Sequence, residues 1–176
     1  DLVFSPDDYE IAIAANHNIT TGYAYIWDRL DGRVTAQFQI ESNGNYYEKV
    51  NAIDYSKDGH FLALAQGNQF AIYDTINWNE QMTITNENLS SEEDQTHKTN
   101  CRGEYHGCAN YALDLEFSKD GKYLAVSLLN SSIEIYSTNM VCENCTPWQL
   151  LTEKSIYNPE AIEFLGIAFS PYSQKI

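Results

Sequence analysis

The chain has 176 residues, 43% of them apolar and 13% aromatic, with 13 Tyr; that is enough for one packed domain and leans toward β structure. Its 25 acidic residues against 10 basic ones give a formal charge of −15, which repels phosphate and excludes nucleic acid and anionic membrane as natural partners. No apolar run approaches the ~20 residues of a membrane span, so no membrane insertion is expected, and the opening Asp1 reads as a processed chain or an excerpt of a longer one.

In chain order, the first unit spans residues 1–49. It begins with LVFSPDD from Leu2, an apolar strand closed by Phe4-Ser5 and a turn. EIAIAA from Glu10, YAYIWD ending in Trp27-Asp28, and VTAQFQIE then read as three further strands. The second unit, residues 50–110, repeats the order. AIDYSKDG carries Tyr55-Ser56, FLALAQ follows, FAIYDT carries Tyr73-Asp74, and EQMTIT closes the set before a long polar connector, 86–110. The third unit, residues 111–160, has DLEFSKDG with Phe117-Ser118, then YLAVSLL, IEIYST with Tyr136-Ser137, and WQLLTEK. Residues 161–176 restart the pattern at GIAFSPYS, with Phe169-Ser170, as the first strand of a fourth unit.

The aromatic-Ser pairs recur at spacings of 51, 62 and 52 residues, in register with everything that follows them. Asp58-Gly59 and Asp120-Gly121 supply the positive φ that a tight hairpin needs. The second strands are nearly continuous apolar runs, which predicts a sheet covered on both faces. Sheets stacked face to face around an axis meet that demand.

These motifs resemble the WD-repeat β-propeller family. Trp27-Asp28 is the dipeptide that names it, and FSPDD, YSKDG and FSKDG are similar to its strand-turn signature. The resemblance covers almost the whole chain. It implies an all-β propeller segment of about three four-stranded antiparallel blades plus the start of a fourth. Only one third strand ends in Trp-Asp, no Gly-His dipeptide precedes a first strand, and the periods exceed the ~40–45 residues usual for such repeats. Closure of a propeller takes ~4–8 blades. The chain is therefore expected to be a segment of a larger ring, or to complete one with other copies or another protein.

Cys101, Cys108, Cys142 and Cys145 fall in two local pairs. In a four-stranded meander the two pairs sit at opposite ends of the sheet, which argues against one shared tetrahedral ion. Disulfides Cys101–Cys108 and Cys142–Cys145 are the favoured state, each loop closure contributing roughly 2 kcal/mol. Free thiols, or zinc held by His97, Cys101, His106 and Cys108, are the alternatives. Asn18, Asn88, Asn130 and Asn144 open Asn-x-Ser/Thr sequons, all in expected turns or connectors. With the cysteine pairs they favour an extracellular or lumenal location, a cytoplasmic one being the alternative.

No catalytic constellation is present: no Gly-x-Ser-x-Gly elbow, no phosphate-binding loop, no His-Glu-x-x-His. Asp54–Gly59 imitates the start of a calcium loop, but Ala65 stands where the bidentate Glu belongs, so it reads as a strand turn. Trp27, Tyr73 and Tyr136 occupy equivalent positions and are expected to pack in the core. The favoured function is a non-catalytic protein-interaction scaffold with no metal and no cofactor. Its partners are other proteins, further blades, or copies of itself in a homo-oligomer or assembly. The alternatives are a structural subunit of an extracellular glycoprotein assembly or fibre, and a propeller enzyme whose active site lies in blades outside this chain.

Overall fold

The computed structural model describes residues 1–16, 21–41, 50–67, 69–85, 112–128, 132–138, 147–155 and 166–170. These residues form twelve strands and no helix. Strands β1 (Leu2–Phe4), β2 (Glu10–Asn16), β3 (Thr21–Asp28) and β4 (Val34–Glu41) pair in that order as sheet 1. Sheet 2 is β5 (Val50–Tyr55), β6 (Phe61–Gln66), β7 (Gln69–Asp74) and β8 (Glu80–Thr85). Sheet 3 is β9 (Ala112–Phe117), β10 (Tyr123–Leu128), β11 (Ser132–Ser137) and β12 (Leu150–Ser155). Every pairing is antiparallel between chain neighbours, so each sheet is a meander.

The first hairpin of each sheet is built alike. The Ser5, Ser56 and Ser118 hydroxyls donate to the carboxylates of Asp7, Asp58 and Asp120 at 2.6, 2.6 and 2.7 Å. The same hydroxyls accept the N–H of Glu10, Phe61 and Tyr123, where the second strand starts. The third turn residue has positive φ in all three cases: Asp8 at 62°, Gly59 at 76° and Gly121 at 72°. Asp8 takes a place that glycine holds twice, because a short polar side chain tolerates the left-handed region.

The β3–β4 and β7–β8 turns repeat as well. Asp28 Oδ1 accepts the N–H of Leu30 and Asp31, and Asp74 Oδ1 accepts those of Ile76 and Asn77. In sheet 3 the Ser137 hydroxyl takes this place and accepts the Gln149 N–H.

The sheets stack face to face, with β5 beside both β1 and β9. Alanines of the second strand, Ala12 in sheet 1 and Ala63 and Ala65 in sheet 2, leave room for the next sheet's first strand. Ala12, Ala24 and Ile26 of sheet 1 cluster with Ile53, Tyr55, Leu62 and Leu64 of sheet 2. Ala63, Ala65, Phe70 and Ile72 of sheet 2 cluster with Leu115, Phe117, Leu124 and Val126 of sheet 3. The near-continuous apolar runs of β6 and β10 are buried on both faces, as their sequences predict. β2 is half-exposed along most of its length, because among the described residues nothing covers one face of sheet 1. Residues 166–170 run beside β9 but are not part of a strand, contrary to the reading of GIAFS as one.

Candidate functional site

The first strand lies at the edge of each sheet, and an edge strand presents a row of unpaired N–H groups. Asp1 C=O accepts the Ala14 N–H and Ser5 N–H donates to Glu10 C=O, so Asp1, Val3 and Ser5 turn their backbone to β2. Leu2 and Phe4 therefore point theirs to the open edge. The same alternation aims the N–H of Ile53, Leu115 and Phe117 outward in sheets 2 and 3.

Carboxylates of the preceding sheet meet these donors in a fixed register. Asp1 Oδ1 accepts the N–H of its own neighbour Leu2 at 2.9 Å, while Oδ2 accepts the Ile53 N–H of sheet 2 at 3.1 Å. Asp114 repeats this: Oδ1 takes the Leu115 N–H at 2.9 Å and Oδ2 the Ile167 N–H at 2.7 Å. Two residues further along, Asp54 Oδ2 accepts the Phe117 N–H at 2.7 Å, and Glu116 Oε2 accepts the Phe169 N–H. Counted from the hairpin serine of each unit, the acids stand four or two residues before it. Their donors stand three or one residue before the next serine. Asn51 meets Ala112 and Asp54 meets Phe117, so β5 and β9 run parallel, and Asp114 with Ile167 and Glu116 with Phe169 set residues 166–170 in the same direction beside β9.

Further along each seam, the Asn16 amide both donates to Val50 C=O and accepts Val50 N–H. At the equivalent point of the next seam, Gly67 C=O accepts the Ala112 N–H and the Asn51 amide donates to Ala112 C=O. Gly22 backs onto the first of these contacts. A Cβ there would lie 2.9 Å from the Val50 nitrogen.

Burial dominates the electrostatics of the seams. It raises the Asp54 carboxyl to about 6, against the opposing pull of the Phe117 N–H and the Lys57 charge; the nearby Glu116 adds to the rise. It also raises the Tyr55 phenol, with Glu10 alongside, and the Tyr136 phenol, whose hydroxyl donates to Glu134 at 2.6 Å. Glu134 is raised by its own burial, with the Glu153 charge adding to the rise and the Tyr136 hydroxyl opposing it. The hairpin aspartates go the other way. The Ser5 and Ser118 hydroxyls hold Asp7 and Asp120 below the ordinary value. At Asp58 burial pulls upward, but the Ser56 hydroxyl and the His60 N–H outweigh it.

The repeat-motif residues take unequal places. Tyr55 and Phe117 are buried in the seams, and Tyr136 packs edge-on against Phe70 at 4.9 Å. Tyr73 lies against Phe38 of sheet 1 at 4.5 Å. Trp27 departs from the core expectation: it stays 39% exposed, because no sheet covers its side of sheet 1 among the described residues. Phe4 is exposed for the same reason. Trp78 and Trp148 do part of the packing expected of Trp27. Trp148 meets Phe61 and Phe117 edge-on, and Trp78 meets Phe38.

Cys101, Cys108, Cys142, Cys145, Asn18, Asn88, Asn130 and Asn144 lie outside the described residues, as does the connector 86–110. Sequence reasoning missed the seam acids Asp1, Asp54, Asp114 and Glu116. Their signal was an acidic residue inside or abutting an otherwise apolar first strand. Among the described residues no three His, Cys, Asp or Glu side chains group as a metal site. What this arrangement does chemically is join one sheet edge to the next. Compared with known proteins, the chain matches no family model and no curated protein sequence.

Proposed function

We propose that the chain is part of a WD-repeat-like β-propeller that acts as a non-catalytic protein-interaction scaffold in a secreted or surface protein. The observation that carries this reading is the repetition of the carboxylate-to-edge joint. Asp1 to Ile53 recurs as Asp114 to Ile167, and Asp54 to Phe117 recurs as Glu116 to Phe169. A joint repeated in one register carries each sheet to the next segment by a similar displacement. Radial stacking of four-stranded meanders about an axis is the arrangement that such repetition builds. The step from fold to scaffold is fold-level analogy, supported by the absence of a catalytic motif in the sequence. The long connector 86–110 is the proposed contact element, since long loops in compact folds are often functional.

Removal of residues 88–100 tests the scaffold role. The expected result is an unchanged circular dichroism spectrum and melting curve, with loss of partners recovered by cross-linking from the native source. Loss of the cooperative melt would make the segment structural instead. Intact-mass measurement tests the location. Hexose-type increments at Asn18, Asn88, Asn130 or Asn144, with the four cysteines oxidised, are the expected result; a reduced chain without glycan would place the protein in a reducing compartment.

A further inference from the structure

The seams between sheets show what one side of sheet 1 lacks. Leu2 and Phe4 are 59% and 49% exposed, whereas their counterparts Ile53 and Phe117 are 2% and 0% exposed beneath the preceding sheet. Trp27 and Val34 continue the same exposed face. The Phe4 N–H points to the open edge of β1, in the place where Phe117 N–H meets Asp54. Sheet 1 thus displays the N–H half of a joint whose carboxylate half appears on three strands: on β1 as Asp1, on β5 as Asp54, and on β9 as Asp114 with Glu116.

We propose that this face of sheet 1 docks a partner of one chemistry: an extended strand parallel to β1 that directs a carboxylate at the Phe4 N–H and is flanked by a strand with alanines toward sheet 1. The inference rests on the stacked-sheet reading above and names what the open end takes. Both requirements come from the two seams inside the chain. A carboxylate is the acceptor in every repeat of the joint, and it satisfies an N–H that the arriving sheet would otherwise bury without a partner. The requirement for alanines follows from Ala12 on β2 and Ala63 and Ala65 on β6, the second strands against which the next first strands β5 and β9 pack. Bulky side chains on that flanking strand would hold the docking strand too far away for the bond.

Amide hydrogen exchange on the full chain tests the proposal, with a synthetic peptide of the β9 sequence, Ala-Leu-Asp-Leu-Glu-Phe-Ser, as probe. Its control carries Asn and Gln in place of the two acids. At a peptide concentration about twice its dissociation constant, Phe4 exchange is expected to slow about threefold. The control is expected to leave Phe4 unchanged. Equal effects of the two peptides, or none, with Ile53 and Phe117 protected, would overturn the inference and leave the stacked-sheet reading standing. Free exchange at Ile53 and Phe117 would overturn both. Phe4 protection that rises with protein concentration in the absence of peptide and persists in D114N/E116Q would assign the face to a second copy of the chain by other chemistry and overturn the acidic-strand partner.

Discussion

Asp54 Oδ2 accepts the amide proton of Phe117 at 2.7 Å, across 63 residues of sequence and the seam between sheets 2 and 3. Both partners are buried, Asp54 at the edge of the seam and Phe117 within it. The bond satisfies a donor that the stacking of sheet 3 would otherwise bury unpaired. It also holds a carboxylate where burial disfavours its charge. The two effects separate by substitution.

Asp54 is raised from 3.8 to about 6, so the folded protein holds its proton more tightly than the unfolded chain. Stability contributed at this site is therefore full below pH 4, declines between about pH 4 and 6, and is lowest above that window. The change across the window is at most roughly 3 kcal/mol. D54N keeps an acceptor for the Phe117 N–H and removes the charge. Its stability relative to the parent is expected to rise across that window and to level off above it. D54A leaves the N–H unpaired and is expected to lie about 1–3 kcal/mol below D54N at every pH. Urea unfolding from pH 4 to 8 measures both, and a flat D54N difference would refute the assignment.

The hairpin aspartates titrate in the opposite direction. Asp7, Asp58 and Asp120 are held below the ordinary 3.8, so their contribution is present above that value and is lost as the pH falls through their folded values. Carbon-detected carboxyl titration is expected to order the three below free aspartate and Asp54 above it. Ser56→Ala is expected to move Asp58 upward and to cost about 1 kcal/mol for the lost hydroxyl bonds. An unmoved Asp58 would show that the hydroxyl does not set its value.

The sheets were largely legible in the residues, and the seams were not. Phe4-Ser5, Tyr55-Ser56 and Phe117-Ser118 mark where three first strands end, because the serine closes the hairpin locally, five residues from the N–H it accepts. The Asp58-Gly59 and Asp120-Gly121 turns are equally local. Asp54 and Asp114, by contrast, bond to residues 63 and 53 positions away, and no local pattern fixes such a partner. The position of the acid also alternates between units: four residues before the serine at Asp1, two at Asp54, and both at Asp114 and Glu116. Trp27 was misplaced for a related reason. Its own strand shows only that it shares a face with Tyr25, and whether that face is covered depends on a neighbouring sheet.

Gly22 and Gly166 separate close approach from mere flexibility. A Cβ at Gly22 would meet the Val50 nitrogen at 2.9 Å and its Cγ2 at 3.0 Å, and main chain cannot yield as a side-chain tip can. G22A is expected to push sheet 2 away from sheet 1 and to cost about 1–3 kcal/mol. At Gly166 the nearest atom is Asp114 Oδ2, at 3.5 Å, an ordinary contact. G166A is expected to change stability by less than about 0.5 kcal/mol. Denaturant midpoints of the two variants measure the contrast, and equal effects would refute the steric account.

Trp148 combines packing with an unfavourable backbone. Its ring is buried between Phe61 of sheet 2 and Phe117 of sheet 3, and its φ is +61°. W148A removes the ring and is expected to cost about 3–5 kcal/mol. W148G removes the same ring but suits the left-handed φ, so it is expected to be about 1 kcal/mol more stable than W148A. Gly32, with φ +73°, already holds the corresponding place in sheet 1. W27A, at the exposed face of sheet 1, is expected to cost less than about 1 kcal/mol in this chain. Thermal unfolding of the three variants, followed by the fluorescence of the remaining tryptophans, measures the series. A W27A loss as large as that of W148A would mean that the open face of sheet 1 is covered in solution.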